Sequence, residues 1–330
     1  MTRRRAVVKA ACDAHWGYNL GPGLNTWAVF KDPNQTMMYC HVAKAGCTFW
    51  ARVFSFITRP EDMKRLNITS PFDVMRITAH SELAPEGHGD WSLLKQEVHA
   101  DTSKFFFARD PYARLWSVYL DKYYLPGSWN SYEFSSSVCL LNISFSDFLA
   151  FAMTSKDGHV RPVSETCNPC VFQPIYIGKV ETFSSDSMYI LSQFNLSHLL
   201  DGFDFANYTQ TEMRSILYDY YQLYSDLNLT QCLSIKDLAR RMWKVFQING
   251  HIRESSEFPE NLEEYSRDVV MTRLTDLVHT KPMSRTESNK QRRKYLCQAY
   301  KSVSGPLIKA IQERFRADFE MFEYSETPPQ

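Results

Sequence analysis

Lys44, Gly46, Cys47 and Thr48 lie within five positions of one another, in the stretch MMYCHVAKAGCTFWARVFSFI at residues 37–57. A lysine supplies a mobile cation, a glycine lets a backbone approach a ligand closely, and a threonine adds a hydroxyl. Residues 37–42 are a short, mostly apolar run, better suited to a buried strand than to a helix. Ala43 to Cys47 read as a tight turn. Thr48 then caps a helix with Phe49, Trp50, Val53, Phe54 and Ile57 on its apolar face and Arg52 and Ser55 on the other. The first turn of a helix leaves backbone N–H groups unpaired and its dipole favours negative charge, so this junction is a ready site for an anion. It is not a Walker A loop, since its only glycine follows the lysine and no Gly-Lys-Ser/Thr occurs. Taken alone, these residues also fit an ordinary strand-to-helix turn with a solvated lysine.

A second junction has the same form at residues 104–125, KFFFARDPYARLWSVYLDKYYL. Phe105 to Ala108 read as a strand ending at Arg109, and Asp110 caps a helix with Pro111 at its first position. Tyr112, Leu115, Trp116, Tyr119 and Tyr123 recur at helical spacing, with Arg114, Ser117 and Asp121 on another face. Arg109 offers paired donors to a phosphate, and Ser117, two turns along, a hydroxyl. The plainer alternative is that Arg109 and Asp110 form only a capping pair.

A third segment holds His159, Cys167-Asn-Pro-Cys170 and IYIGKVET at residues 175–182, with a strand expected over 175–180 and Ser184 or Ser185 capping a helix through Phe194. The lone C-x-x-C lacks the second pair that zinc would need, and its context is not that of a thioredoxin-like redox turn. A structural disulfide, within the pair or to other cysteines, is expected.

These three segments resemble the Golgi carbohydrate sulfotransferases that modify chondroitin, dermatan and related glucuronyl glycans. KAGCTFWAR at residues 44–52 looks like that family's 5′-phosphosulfate loop, with Ala43 in place of the usual proline. RDPYARLWSVYLDK at residues 109–122 resembles its 3′-phosphate motif. The third segment is similar to the family's H-W-x-P, C-x-P-C and Y-D-x-[IV]-G-K-x-E-T run, departing from it at Val160 and at the missing aspartate of Y-D. Residues 314–324 resemble its terminal Y-x-x-D-F-x-x-F-x-Y. The resemblance covers roughly residues 36–195 and 305–325.

It implies an α/β, P-loop-like fold of three layers, α/β/α, around a central mainly parallel sheet, with an added helical region near the C-terminus. Residues 1–33, where Gly17, Gly21-Pro22-Gly23 and no sustained period occur, read as a stem or loop. Residues 34–330 would be the catalytic domain, with a variable helical insertion at about 200–300. Within it the basic run KQRRK at 290–294 reads as a solvated face.

The composition is consistent with this reading. A chain of 330 residues, 44% hydrophobic and with no net charge, can bury a full core, and any surface for an acidic glycan must be a local groove. No nucleic-acid partner is expected. Eight cysteines and sequons at Asn34, Asn67, Asn142, Asn195, Asn207 and Asn228 favour an oxidising lumen. The apolar run after Thr2-Arg3-Arg4-Arg5 is too short for a signal or a spanning helix. The family's usual plan is type II, a single anchor ahead of a Golgi-lumenal domain, so the expectation is membrane attachment only through an N-terminal anchor not visible in this chain.

The reaction implied is sulfuryl transfer from 3′-phosphoadenosine 5′-phosphosulfate to a glycan hydroxyl, without a metal. By resemblance Lys44 contacts the bridging oxygen; Ala45, Gly46, Cys47 and Thr48 line the 5′-phosphosulfate, with Arg52 joining them; and Arg109 and Ser117 take the 3′-phosphate. The acceptor must lose a proton, and His80, in the loop after the first helix and followed by Ser81, is the expected base, with His159 second. Other classes stay open: a hydrolase with Cys47 as nucleophile and His80 as base, a nucleotide-dependent kinase, or an inactive binding protein on the same fold.

Overall fold

The computed structural model describes every residue except 17–19, 21–28, 35, 85–101, 130–138, 140–142, 204–207 and 228. Three apolar runs and one short partner make the sheet: β1 (Val29–Lys31), β2 (Met37–Cys40), β3 (Ser103–Ala108) and β4 (Tyr176–Lys179) pair in the order β1-β2-β3-β4. β1 is antiparallel to β2, whereas β2, β3 and β4 run parallel, so the sheet is mixed. Cys40 lies opposite Phe106 and Phe106 opposite Ile177. The turns that follow these three strands therefore leave the sheet at one edge, where ligands of open α/β sheets are usually held.

Helices α1 (Thr2–Ala11), α2 (Cys47–Thr58), α3 (Arg76–His80), α4 (Pro111–Val118) and α5 (Phe183–Gln193) position the residues of interest. All of β2 and the last four residues of β3 are buried, as expected of strands covered on both faces. Alternation along β3 shows the two layers. Phe105 and Phe107 meet Trp50 of α2 with ring centres 4.6 and 5.7 Å apart, and Phe107 meets Phe183 of α5. Phe106 turns the other way, onto Phe172 and Phe322.

The chain divides into two compact units. The first comprises Met1–Arg114, Met153–Gly202 and Ile308–Thr327 and contains the sheet. The second comprises Leu115–Ala152, Phe203–Leu307 and Pro328–Gln330; the division falls inside α4. Among the described residues of the second unit are the helices Phe145–Ala152, Tyr208–Asp226, Ile235–Ile248, Arg267–Thr280 and Arg285–Lys301. Ile235–Ile248 is strongly amphipathic, burying Leu238, Met242, Trp243 and Phe246, and its cap is Ser234, which accepts from the Asp237 amide. In the KQRRK run the four basic residues are exposed, but Gln291 is buried and donates to the Gln247 and Ile252 carbonyls.

Several expectations are corrected here. Residues 2–16 are helical rather than a loop. α1 is held by tertiary contacts that no local period announces: Arg4 donates to the Ile177 carbonyl at 2.9 Å and pairs with Asp186 at 2.6 Å, and Cys12 is bonded to Cys170. The cap of α2 is Gly46, not Thr48, because the turn reaches the helix through left-handed backbone at Lys44 (φ 64°) and Gly46 (φ 82°). Ser184 and Ser185 lie inside α5, which begins one residue earlier.

The C-x-x-C cysteines are bonded to distant partners, Cys170 to Cys12 and Cys167 to Cys40; Cys139 pairs with Cys232 in the second unit. Sequons Asn142, Asn207 and Asn228 fall outside the described residues. Among the described residues no helix is long and apolar enough to cross a membrane.

Candidate active site

Two neighbouring parallel strands deliver the two junctions side by side. The chain leaves β2 through His41 and Val42 into the turn of residues 43–46, and leaves β3 through Arg109 into α4. Arg109 Nη1 donates to the Lys44 carbonyl at 3.0 Å, joining the arginine corner to the lysine loop. Asp110 caps α4 as expected, accepting from the Ala113 amide at 2.8 Å.

The loop's shape is fixed from beneath. Arg114 is buried and donates to the carbonyls of Ala43 at 3.0 Å, His159 at 3.1 Å and Arg161 at 2.7 Å. Burial brings its guanidinium down to about 10, with Asp318 foremost among the groups opposing the shift, so it stays charged at neutral pH. Lys44 sits in the left-handed region, an uncommon conformation for a residue with a Cβ. Gly46 is required twice over. Its φ is positive, and a Cβ there would lie 2.1 Å from the Phe183 ring.

Around the arginine corner, Glu181 accepts from the Asp110 amide at 3.2 Å and from the Tyr324 hydroxyl at 2.9 Å. Burial and the Glu181 carboxylate push the Tyr324 hydroxyl well above its ordinary range, so it remains a donor. Burial also lowers the Arg109 guanidinium while Glu181 and Asp110 oppose that shift; an arginine so placed keeps its charge.

At the lysine loop, Cys47 opens α2 with its sulfur against His41. Burial works to raise the thiol, but the His41 imidazole and its hydrogen bond, then Lys44 through its charge and its backbone, bring it down to about 6. His41 moves the opposite way: burial would lower it, and the Cys47 sulfur raises it above the ordinary imidazole value. The pair therefore favours thiolate and imidazolium. His80, at the exposed end of α3, has Nε2 3.1 Å from Thr48 Oγ1, and its ring meets His41 edge-on at 5.8 Å.

Of the expected residues, Lys44, Gly46, Cys47, Thr48, His80 and Arg109 gather at this edge. Ala45 is buried and its amide is engaged by the Val42 carbonyl at 3.2 Å, so it shapes the turn from inside. Arg52 is fully buried, and its Nε donates to the Val74 carbonyl at 2.8 Å. Ser55, expected beside it on the same face, is buried too and donates to the Ala51 carbonyl. Arg114 likewise turns inward. Ser117 is half-buried on α4, in the part of that helix assigned to the second unit. His159 pairs with Asp157 at 2.8 Å.

His41 escaped the sequence reading because it sat inside an apolar run. Its position at the carboxyl end of a strand, three residues before the lysine, is the signal that could have found it.

Comparison with known proteins gives the same direction. Residues 27–226 match the model of the sulfotransferase family. Human carbohydrate sulfotransferase 9 is 24% identical over 229 residues, which is 63% of this chain and 50% of that protein. Carbohydrate sulfotransferase 12 of Xenopus laevis is 26% identical over 204 residues, 51% of this chain and 48% of that protein. Human carbohydrate sulfotransferase 8 is 24% identical over 224 residues, 62% of this chain and 51% of that protein. The chain thus spans about half the length of these relatives. No solved structure matches.

Proposed function

Because the chain belongs to the sulfotransferase family, we propose that it transfers the sulfuryl group of 3′-phosphoadenosine 5′-phosphosulfate to a hydroxyl of a glycan of chondroitin, dermatan or glucuronyl type. The observation that supports this is the bond from Arg109 to the Lys44 carbonyl, which joins the two junctions at one sheet edge. In this reading the sheet and Lys44 turn are P-loop-like, and residues 200–300 are a variable insertion in a catalytic domain of residues 34–330.

The acceptor oxygen forms a bond to sulfur as the bond from sulfur to the 5′-phosphate oxygen breaks. The electron pair leaves on adenosine 3′,5′-bisphosphate, and the acceptor proton passes to His80. Lys44 neutralises the charge that grows on the leaving oxygen, as cations do in phosphoryl transfer. Gly46, Cys47 and Thr48 line the 5′ end, and Arg109 with Ser117 takes the 3′-phosphate, the group that separates this donor from ATP. The acceptor hydroxyl would take the place of Thr48 at His80 Nε2. These roles need no metal. Three disulfides support an oxidising setting such as the Golgi lumen, which in this reading is reached through an N-terminal anchor.

The test is incubation of the purified chain with labelled sulfate donor and a panel of desulfated chondroitin, dermatan, heparan and glucuronyl-terminated oligosaccharides. Label on at least one acceptor, absent with Lys44→Ala, is expected. No label above that control on any of them refutes the reading.

A further inference from the structure

His41, Cys47 and His80 do more than neighbour the lysine loop. One ligand atom from each, the Cys47 sulfur and one ring nitrogen of each histidine, lies within 4.8 Å of the others. They come from three elements: the end of β2, the start of α2 and the end of α3. We propose that these three side chains form a binding site for a thiophilic divalent cation, Zn²⁺, in which the metal and the sulfotransfer reaction exclude one another.

Ligand type decides the class of metal. One thiolate and two imidazoles suit zinc, whereas magnesium and calcium demand oxygen ligands. Lys44 and Arg109 stand close by, and such cationic surroundings disfavour any ion held by charge alone; they leave only one bound through strong bonds to sulfur and nitrogen. Tetrahedral zinc places its ligand atoms about 3.3–3.6 Å apart, so the triad must close by roughly 1 Å. His80 is exposed and ends a helix of five residues, so its side chain can supply that closure. His41 and Cys47 are only partly exposed and sit on better-anchored backbone. On binding, the one proton shared by the Cys47–His41 pair passes to solvent, leaving a thiolate and two imidazoles that bind through neutral nitrogens. The fourth position of the tetrahedron stays open to water.

The inhibitory consequence rests on the sulfotransferase reading; the binding does not. Metal at this position ties up His80, the proposed base, and a residue of the donor loop at once.

The experiment titrates the metal-free full chain, disulfides intact, with Co²⁺ in the absence of any donor. Expected is one cobalt per chain with a near-ultraviolet thiolate-to-cobalt band and the strong visible bands of tetrahedral cobalt, both erased by added Zn²⁺. Cys47→Ser should lose the thiolate band. Cys297→Ser, which removes the other free cysteine, should keep it. His80→Ala, at an exposed position, should weaken binding roughly tenfold or more and guards against misfolding of the first variant. No thiolate band in the unmodified chain, a band that survives Cys47→Ser, or unchanged affinity in His80→Ala would overturn the proposal. Those outcomes leave the labelled-sulfate assay untouched. If that assay is positive, Zn²⁺ should suppress it and a chelator restore it; failure of that reversal alone would sink the mutual exclusion.

Discussion

Arg109 grips the carbonyl of Lys44 at 3.0 Å, so the side chain assigned to one end of the donor also holds the backbone assigned to the other. A lysine at position 109 would keep the charge and lose the planar fork that serves both partners. Arg109→Lys should therefore weaken binding of adenosine 3′,5′-bisphosphate by about ten- to a hundredfold, the worth of one charge-assisted bond. Calorimetric titration of the bisphosphate measures it, and unchanged affinity would detach Arg109 from the donor.

His80→Ala should lower kcat by about 10² to 10⁴ while leaving bisphosphate affinity intact, the signature of a lost proton acceptor. A variant that loses donor affinity and keeps kcat would instead make His80 part of the donor pocket.

Cys47 should react as a thiolate at mildly acidic pH. Its value of about 6 lies below that of an ordinary thiol, so the reactive fraction grows as pH rises through 6 and is nearly complete at neutrality. Alkylation followed by mass spectrometry across pH 4–9 gives the profile, and His41→Ala should move its midpoint upward. The same residue separates sulfotransfer from hydrolysis, because Cys47→Ser should cost less activity than Lys44→Ala. The reverse order would revive the cysteine-nucleophile mechanism.

Arg52→Met should act on stability alone. It strips the Val74 carbonyl of its buried donor, at a cost of about 1–3 kcal/mol, by changing a side chain that is itself fully buried. Denaturant unfolding should show that loss with bisphosphate affinity unchanged; a matching loss of affinity would return Arg52 to the donor site.

The outer disulfide should stabilise less than its span suggests. Cys12 and Cys170 are 158 residues apart, but Cys40–Cys167 already closes 127 of them. With the inner bond intact, the outer one encloses an effective loop of about 30 residues, worth between 3 and 4 kcal/mol in chain entropy. Urea unfolding of the Cys12→Ser, Cys170→Ser double variant checks this figure, and a cost below 1 kcal/mol would show that α1 is held without its covalent tie.

Much of the site's frame was legible because it was written in local chemistry. The apolar runs at 37–42 and 104–108 became β2 and β3, and Asp110-Pro111 became a helix start. What escaped was decided at long range. Arg52 and Arg114 fall where a helical wheel puts solvent, yet both are buried and donate to carbonyls distant in sequence. Thr48 looked like a cap, but left-handed Gly46 took that place, freeing the threonine hydroxyl for His80. α1 carries only a weak apolar stripe, and its fixed position comes from Arg4 and from Cys12.

The contacts of Tyr324 and Glu326 bring an order of events with them. Glu181 is held by Tyr324, and Tyr112 reaches the carbonyl of Glu326 at 2.6 Å, so the arginine corner is buttressed by residues far downstream of it in the sequence. The lysine loop and its strand emerge nearly three hundred residues earlier. During synthesis the Lys44 loop can therefore form long before the Arg109 corner is braced, and cleavage ahead of Tyr324 would return the finished molecule to that half-built condition.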